Sequence, residues 1–361
     1  MTPYFFVLFV CVFLTFIDVV SRNKSLKSIS FLIFCFIFLL FAGLRWETGT
    51  DWENYYSNFE NMDNFNFGES GFEILFECLV RFSKLILDSY IVVLFITGFV
   101  IILLTAITLN RYSPYPVFSY LLLLGYSINS SGFGYRQDLS IAVIFFSLYF
   151  IIKRSLYMFL LTVYIAMLFH QSAIIFIPAY WIYNIKWNKK ILIYTLLSIT
   201  VLYFGLSKIN EIASVFSASA AYKVLTYTDM SPEEATMNMG DPIFLLIRGL
   251  ANRFILVIVP IYIIVSNKDY DSLLFKTLNI MLFGIVLFVI FSPLGIVFLR
   301  FTRYFDIFQI LVIPMSLYMA KPNARFFLVL FFVIFSAFKY IVVLNDPASY
   351  LIYVPYKFVF E

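Results

Sequence analysis

The strongest constraint on this chain is its succession of apolar runs. Twelve of them lie near residues 4–20, 29–44, 90–109, 114–129, 138–152, 155–169, 172–185, 191–207, 242–265, 273–298, 305–320 and 326–343. A helix needs about 20 residues to cross the ~30 Å hydrocarbon layer, and shorter runs manage with polar anchors at their ends. Lipid offers the backbone no hydrogen-bond partners, so each run must satisfy its own N–H and C=O groups as a helix. With 62% hydrophobic and 13% charged residues, the chain has too much apolar surface for a soluble globule. The expectation is an all-α polytopic integral membrane protein of about twelve transmembrane helices, a single transmembrane domain over 1–361. No small-residue cleavage site follows Asp18, so the first run is expected to stay as a helix.

The short connections after the odd-numbered runs are basic: Arg22, Lys24 and Lys27, then Arg111, Lys153 with Arg154, Lys186 with Lys189 and Lys190, Lys268, and Lys321 with Arg325. By the positive-inside rule these turns are cytoplasmic and both termini lie on the far, periplasmic side. Three far-side segments are long: 45–89, 208–241 and the tail 345–361. In the first, Phe72, Leu75, Phe76, Leu79, Phe82 and Ile86 recur at helical spacing opposite Glu73, Glu77, Arg81 and Lys84, which predicts an amphipathic helix lying in the membrane interface. In the second, Ser231 before Pro232, Glu233 and Glu234 reads as the start of a short helix. Two short runs meet at His170-Gln171-Ser172-Ala173 without a charged loop, which predicts a turn within or near the membrane.

Polar residues in such a chain mark where chemistry sits. Gly43 to Tyr56 (GLRWETGTDWENYY) carries charge, rings and turn residues straight out of the second run. Asp51 beside Trp52 and Tyr55 is what a sugar site needs, because hydroxyls want acceptors and pyranose faces pack on rings. Its structural alternative is capping the next helical turn. Glu47 and Glu53 are weaker candidates of the same type. Arg248, Arg253, Arg300 and Arg303 lie in or at the outer ends of runs nine to eleven. Arginine there is costly unless it meets a wet cavity, a headgroup or a partner such as Asp241 or Asp306. If their stretch is helical, Arg300 and Arg303 share a face and can grip one phosphate-bearing group. Arg136, just after Gly132 and Gly134, is either an interface anchor or a further diphosphate contact.

His170 is the only histidine. It is a structural hydrogen-bonding group or, with an ordinary pKa of about 6.5, a proton acceptor. Cys11, Cys35 and Cys78 suggest neither a disulfide nor a zinc site, and no metal site or cofactor is expected. Basic residues are scattered, which argues against nucleic acid as a partner. There is no phosphate-binding GxxxxGK[ST], GxGxxG, HExxH or GxSxG motif, so the energy for any reaction must arrive with the substrate.

Taken in order, Arg45 with Gly49-Thr50-Asp51 and Tyr55, Arg136-Gln137, His170-Gln171-Ser172-Ala173, Arg300 to Phe305 (RFTRYF) and Tyr353-Val354-Pro355-Tyr356 resemble the EpsG-like family of bacterial polysaccharide polymerases, which includes many Wzy-type O-antigen polymerases. Asp138 and Ser140 stand where that family usually has apolar or small residues. The resemblance implies a GT-C-like, metal-independent inner-membrane glycosyltransferase. It would move a growing glycan from undecaprenyl diphosphate to a lipid-linked repeat on the periplasmic side, with a chain-length regulator as a possible partner. Arg45, Arg136, Arg248, Arg300 and Arg303 are then expected on the diphosphate, Asp51 or His170 as the base, and Trp52, Tyr55, Gln137 and Tyr304 on the glycan. The rival expectations are an O-antigen ligase, which uses the same donor, and a lipid-linked oligosaccharide flippase, which should show two similar halves.

Overall fold

The computed structural model describes residues 1–49, 51–126, 135–187, 189–206, 242–268, 270–294 and 296–360. Thr50, Gly132, Gly134, Asp241 and the expected helix at Ser231 lie outside them. Six helices among the described residues are long and apolar enough to cross a membrane: Thr2–Val20, Lys24–Gly43, Tyr90–Tyr112, Leu246–Asn267, Leu273–Phe291 and Pro322–Asn345. Shorter apolar helices stand between them, and the chain is an all-α membrane protein. It forms two compact units, one of Met1–Ile177 with Ile313–Glu361 and one of Pro178–Val312.

In the first unit, α1 (Thr2–Val20) packs on α2 (Lys24–Gly43); of the later helices, α2 meets α5 (Tyr90–Tyr112), and both α1 and α2 meet α6 (Pro116–Tyr126). The two helices before α5 are α3 (Trp52–Glu60) and α4 (Ile74–Ile86). The start of α2 is fixed by Asn23, whose Oδ1 accepts the Ser25 and Leu26 N–H groups at 2.9 and 3.3 Å. The start of α6 is capped from another helix: Asp18 Oδ2 accepts the N–H groups of Val117 (2.9 Å) and Phe118 (3.3 Å). The core is aromatic. Phe34 and Phe38 stack at 5.4 Å, and Tyr120 packs on Phe34 at 5.2 Å. On the outside, Phe6, Phe9, Phe13, Phe36, Phe326 and Phe327 are exposed, the apolar dress a bilayer requires.

Next come α7 (Arg136–Phe146), α8 (Leu148–Ile152) and α9 (Leu156–Met167). The run 138–152 divides at Ser147, whose Oγ donates to the Ile144 carbonyl at 2.6 Å and whose N–H is shared between the Val143 and Ile144 carbonyls at 3.0 Å each. Ser140 donates to the Ala166 carbonyl at 2.9 Å, so this unusual hydroxyl ties α7 to α9. The run 172–185 is a 3₁₀ helix, Gln171–Phe176, followed after Pro178 by the four-residue α10 (Ala179–Ile182). Proline removes a backbone donor there and breaks the run.

The second unit centres on α13 (Leu273–Phe291), against which α11 (Lys189–Leu206) and α12 (Pro242–Asn267) pack. Then follow α14 (Ile296–Leu299), a 3₁₀ turn (Arg300–Thr302) and α15 (Arg303–Asp306). A Cβ on Gly284 would stand 2.5 Å from that of Phe305, so this glycine lets α15 approach α13 closely. The chain ends with α16 (Gln309–Met319), α17 (Pro322–Asn345) and α18 (Pro347–Tyr353). Arg325 donates to the carbonyls of Leu317 (2.9 Å), Tyr318 (2.6 Å) and Ala320 (3.1 Å), closing the end of α16.

Candidate active site

The stretch that leaves α2 is shaped by the chain terminus. Strand β1 (Arg45–Trp46) pairs antiparallel with β2 (Lys357–Phe358), Arg45 opposite Phe358. The Val359 N–H reaches the Leu44 carbonyl at 3.0 Å, the Gly49 N–H reaches Ile352 at 3.2 Å, and Lys357 pairs with Glu47. Three residues in five, Glu47, Gly49 and Asp51, have positive φ (44°, 113° and 64°). For the two non-glycines this costs roughly 1–2 kcal/mol each, and such strain gathers at functional loops. Asp51 occupies the N-cap position of α3, yet its side chain makes no capping bond and is exposed. Its carboxylate faces water. Trp52 is buried, stacked on Tyr56 at 4.9 Å and edge-on to Trp46 at 5.0 Å.

Arg136 is the hub of this unit's polar cluster. Its Nε donates to the Tyr55 hydroxyl at 3.0 Å and its Nη1 to Glu73 Oε2 at 2.7 Å. Its guanidinium lies over the rings of Phe72 and Tyr55, 5.0 and 5.6 Å from their centroids. Tyr55 stacks on Tyr135 at 4.1 Å and on Phe72 at 5.4 Å, which fixes the hydroxyl's direction. Burial pushes the Tyr55 phenol above its usual pKa despite the pull of Arg136, so it stays a neutral acceptor. Glu73 Oε1 accepts the Gln171 N–H at 3.4 Å, and next to it His170 Nδ1 lies 2.6 Å from Ser172 Oγ. One carboxylate therefore links Arg136 to the His170 segment. Arg45 lies deeper: it is 1% exposed, donates to the Ala42 carbonyl at 2.6 Å and stands 5.3 Å from the Tyr135 ring centroid. It offers almost no surface to a ligand. Gln137 is half-buried beside the hub.

Glu73 is the residue that reading the sequence misses. Its place on the polar face of the predicted 72–86 helix marks it as a solvated charge, whereas it occupies the N-cap position at the start of α4 and its partners lie 63 and 98 positions away. Glu77, assigned to the same face, is also not solvated. It is fully buried, taking Ser70 Oγ at 2.7 Å, the Gly68 N–H at 3.1 Å and Arg81 Nε at 2.8 Å. The loop 66–72 folds over α4 and covers it.

In the second unit, Arg300 is exposed, Arg303 half-buried and Arg248 exposed on α12. The 3₁₀ turn followed by α15 makes the 300–306 stretch helical, the condition under which residues three apart share a side. Asp306 anchors it: Arg253 Nη2 and Nε reach its Oδ2 and Oδ1 at 2.5 and 3.3 Å, and Thr302 Oγ1 lies 3.0 Å from Oδ2. Arg253 also stacks 3.8 Å from the Phe288 ring centroid. Asp306 is thus its partner, the structural alternative the sequence offered. Tyr304 is fully buried and presents no surface to a glycan. Among the described residues no three side chains of His, Cys, Asp or Glu come together as a metal site would require.

The fold and this cluster define a polytopic helical membrane protein in which an arginine at a helix start is held between a phenol and a carboxylate. The chain belongs to the EpsG family, whose model matches residues 28–358. Members of that family are polysaccharide polymerase-like proteins, and the chain has a polysaccharide polymerase-type role, glycosyltransferase-like in class. No curated protein and no solved structure matches it.

Proposed function

We propose that this protein is an O-antigen-type polysaccharide polymerase of the bacterial inner membrane, with about twelve crossings, a GT-C-like architecture and both termini periplasmic. It transfers a growing glycan from undecaprenyl diphosphate to the terminal sugar of a new lipid-linked repeat. The observation that carries this reading is Arg136, pointed by Tyr55 and Glu73 at the start of α7, where the helix N-terminus itself favours an anion.

The acceptor hydroxyl attacks the anomeric carbon as the bond to the diphosphate breaks, and the leaving oxygen keeps the electron pair. Arg136 neutralises that charge. Arg45 acts from below, through the Tyr135 ring. The hydroxyl proton passes to His170 or Asp51. Its link to Arg136 through Glu73 and Gln171 favours His170, whereas Asp51 has only the solvent-facing carboxylate. Tyr55, Gln137 and the edge of Trp52 flank the sugar. One displacement gives inversion at that carbon, and no metal is needed for it.

Purified protein in liposomes with a synthetic lipid-linked repeat tests this. Arg136→Ala should lower polymer formation by about 10²–10³-fold, the cost of losing one group that stabilises transition-state charge. His170→Ala should cost about 10²–10⁴-fold if it is the base, and Asp51→Asn the same if that residue is. Full-length polymer from Arg136→Ala at normal protein levels would end the proposal. In a deletion strain, loss of a polymerase leaves lipopolysaccharide with a single repeat, loss of a ligase leaves none, and loss of a flippase traps repeats inside.

A further inference from the structure

In the second unit, the turns joining α10 to α11 and α12 to α13 enclose a cavity of about 440 Å³ lined by Lys186, Trp187, Lys268, Tyr270, Asp271 and Phe275. One lining residue, Trp187, is held from behind by Asn279, which is 1% exposed. The Asn279 Oδ1 accepts the Trp187 indole N–H at 2.8 Å, and its Nδ2 donates to the carbonyls of Ile185 (2.9 Å) and Tyr183 (3.3 Å). A buried amide that commits both ends to one turn holds that turn in one shape. Next to the lining residue Asp271, Ser272 caps α13 by accepting the N–H of Phe275, itself a lining residue, at 3.2 Å.

The rim is basic. Asp271 pairs with Lys276 at 2.9 Å and also feels the charge of Lys186. Neither Lys186 nor Lys268 has an ion pair among the described residues. Residues 186–190 and 268–276 together hold Lys186, Lys189, Lys190, Lys268 and Lys276 against Asp269 and Asp271. The distribution of Lys and Arg assigns both turns to the cytoplasmic face, at the level of the inner-leaflet headgroups, where Trp and Tyr rings also settle. Trp187 and Tyr270 are 37% and 49% exposed there. Two ammonium groups match a phosphate anion, and the ring walls match the glycerol and the first methylenes below it.

We propose that this cavity binds the phosphodiester headgroup of an anionic phospholipid, with Lys186 and Lys268 on the phosphate and Trp187 and Tyr270 against the glycerol. The site uses none of the residues assigned to glycan transfer, so it stands or falls separately from that reading.

The test is lipid retention by the full-length protein in neutral detergent, followed by native mass spectrometry, with phosphatidylglycerol, phosphatidylcholine and inorganic phosphate as probes. Phosphatidylglycerol should be preferred over phosphatidylcholine by about thirty-fold, roughly five-fold for each lysine. Lys186→Gln with Lys268→Gln should erase that preference while the thermal midpoint without lipid stays unchanged. Should the pair of substitutions unfold the protein, Lys268→Gln alone must still cost about five-fold. Undiminished preference in the variants overturns the proposal. Displacement of the lipid by millimolar inorganic phosphate overturns it as well, since that marks a site for free anions.

Discussion

Glu77 has a fully buried carboxylate in the non-membrane segment 45–89, and its partners decide its charge. Burial alone would raise its pKa, but the Ser70 hydroxyl, the Arg81 guanidinium and the Gly68 N–H outweigh that, and the carboxyl is held below its usual range. A lowered folded-state pKa means that the contribution to stability is complete above the unfolded value of about 4.3 and disappears as pH falls through the folded value. The loop 66–72 should therefore stay closed over α4 at neutral pH and open only below the ordinary glutamate range. Hydrogen exchange at the Gly68 amide reads this directly, and Glu77→Ala should expose that amide at neutral pH. An amide as protected in Glu77→Ala as in the parent would show that the carboxylate does not hold the loop. Glu73, four positions earlier, makes a functional bond by the same means. Glu73→Gln keeps an acceptor for Arg136 and should cost polymer formation less than Glu73→Ala, a ranking that polymer length on a gel would reveal.

Among the helices, α6 and α17 approach most closely where α6 has no side chain. A Cβ on Gly125 would stand 2.7 Å from the Ser336 Cα and 2.8 Å from its carbonyl oxygen, both backbone atoms that cannot swing aside. Gly125→Leu must push the helices apart, and overpacking of this sort costs about 1–3 kcal/mol or more. The detergent-solubilised variant should melt several degrees lower, whereas Gly68→Ala, in open space, should suffer only from its positive φ of 89°. An unchanged midpoint for Gly125→Leu would mean that the two helices are not in this register. These elements differ in how far the sequence announces them. The long spans and α4 are legible because lipid and interface impose a local apolar pattern, and α4 appears at Ile74–Ile86, inside the predicted 72–86. The break at Ser147 and the 3₁₀ helix at Gln171–Phe176 are not, since an apolar run looks alike in either helical form. The β1–β2 ladder is two residues long and joins positions more than 300 apart, which no local pattern encodes. The site is legible in the same measure. Tyr55, Arg136 and His170 declare themselves as polar residues out of place, but Glu73, which bonds Arg136 and the Gln171 N–H, looks like any surface acid on an amphipathic helix.

At the scale of the whole chain, the β1–β2 ladder turns a question of orientation into one of pairing. Arg45 opposite Phe358 and Trp46 opposite Lys357 require the first long loop and the C-terminal tail to share one side of the membrane. The sequence predicts the basic turns at Arg22 to Lys27, Lys153 to Arg154 and Lys321 to Arg325 on the other, the side the positive-inside rule expects to be cytoplasmic. The two inferences rest on unrelated physics, hydrogen bonding in one case and the cost of moving cations across a membrane in the other. In a background with Cys11, Cys35 and Cys78 replaced by serine, Glu53→Cys and Lys357→Cys should both react with a membrane-impermeant maleimide in spheroplasts, and Arg154→Cys only after lysis. Reaction at Glu53→Cys without Lys357→Cys would break the pairing of tail and loop. Reaction at Arg154→Cys alone would invert the whole chain, move Arg136 and His170 to the cytoplasm, and separate them from any glycan assembled outside.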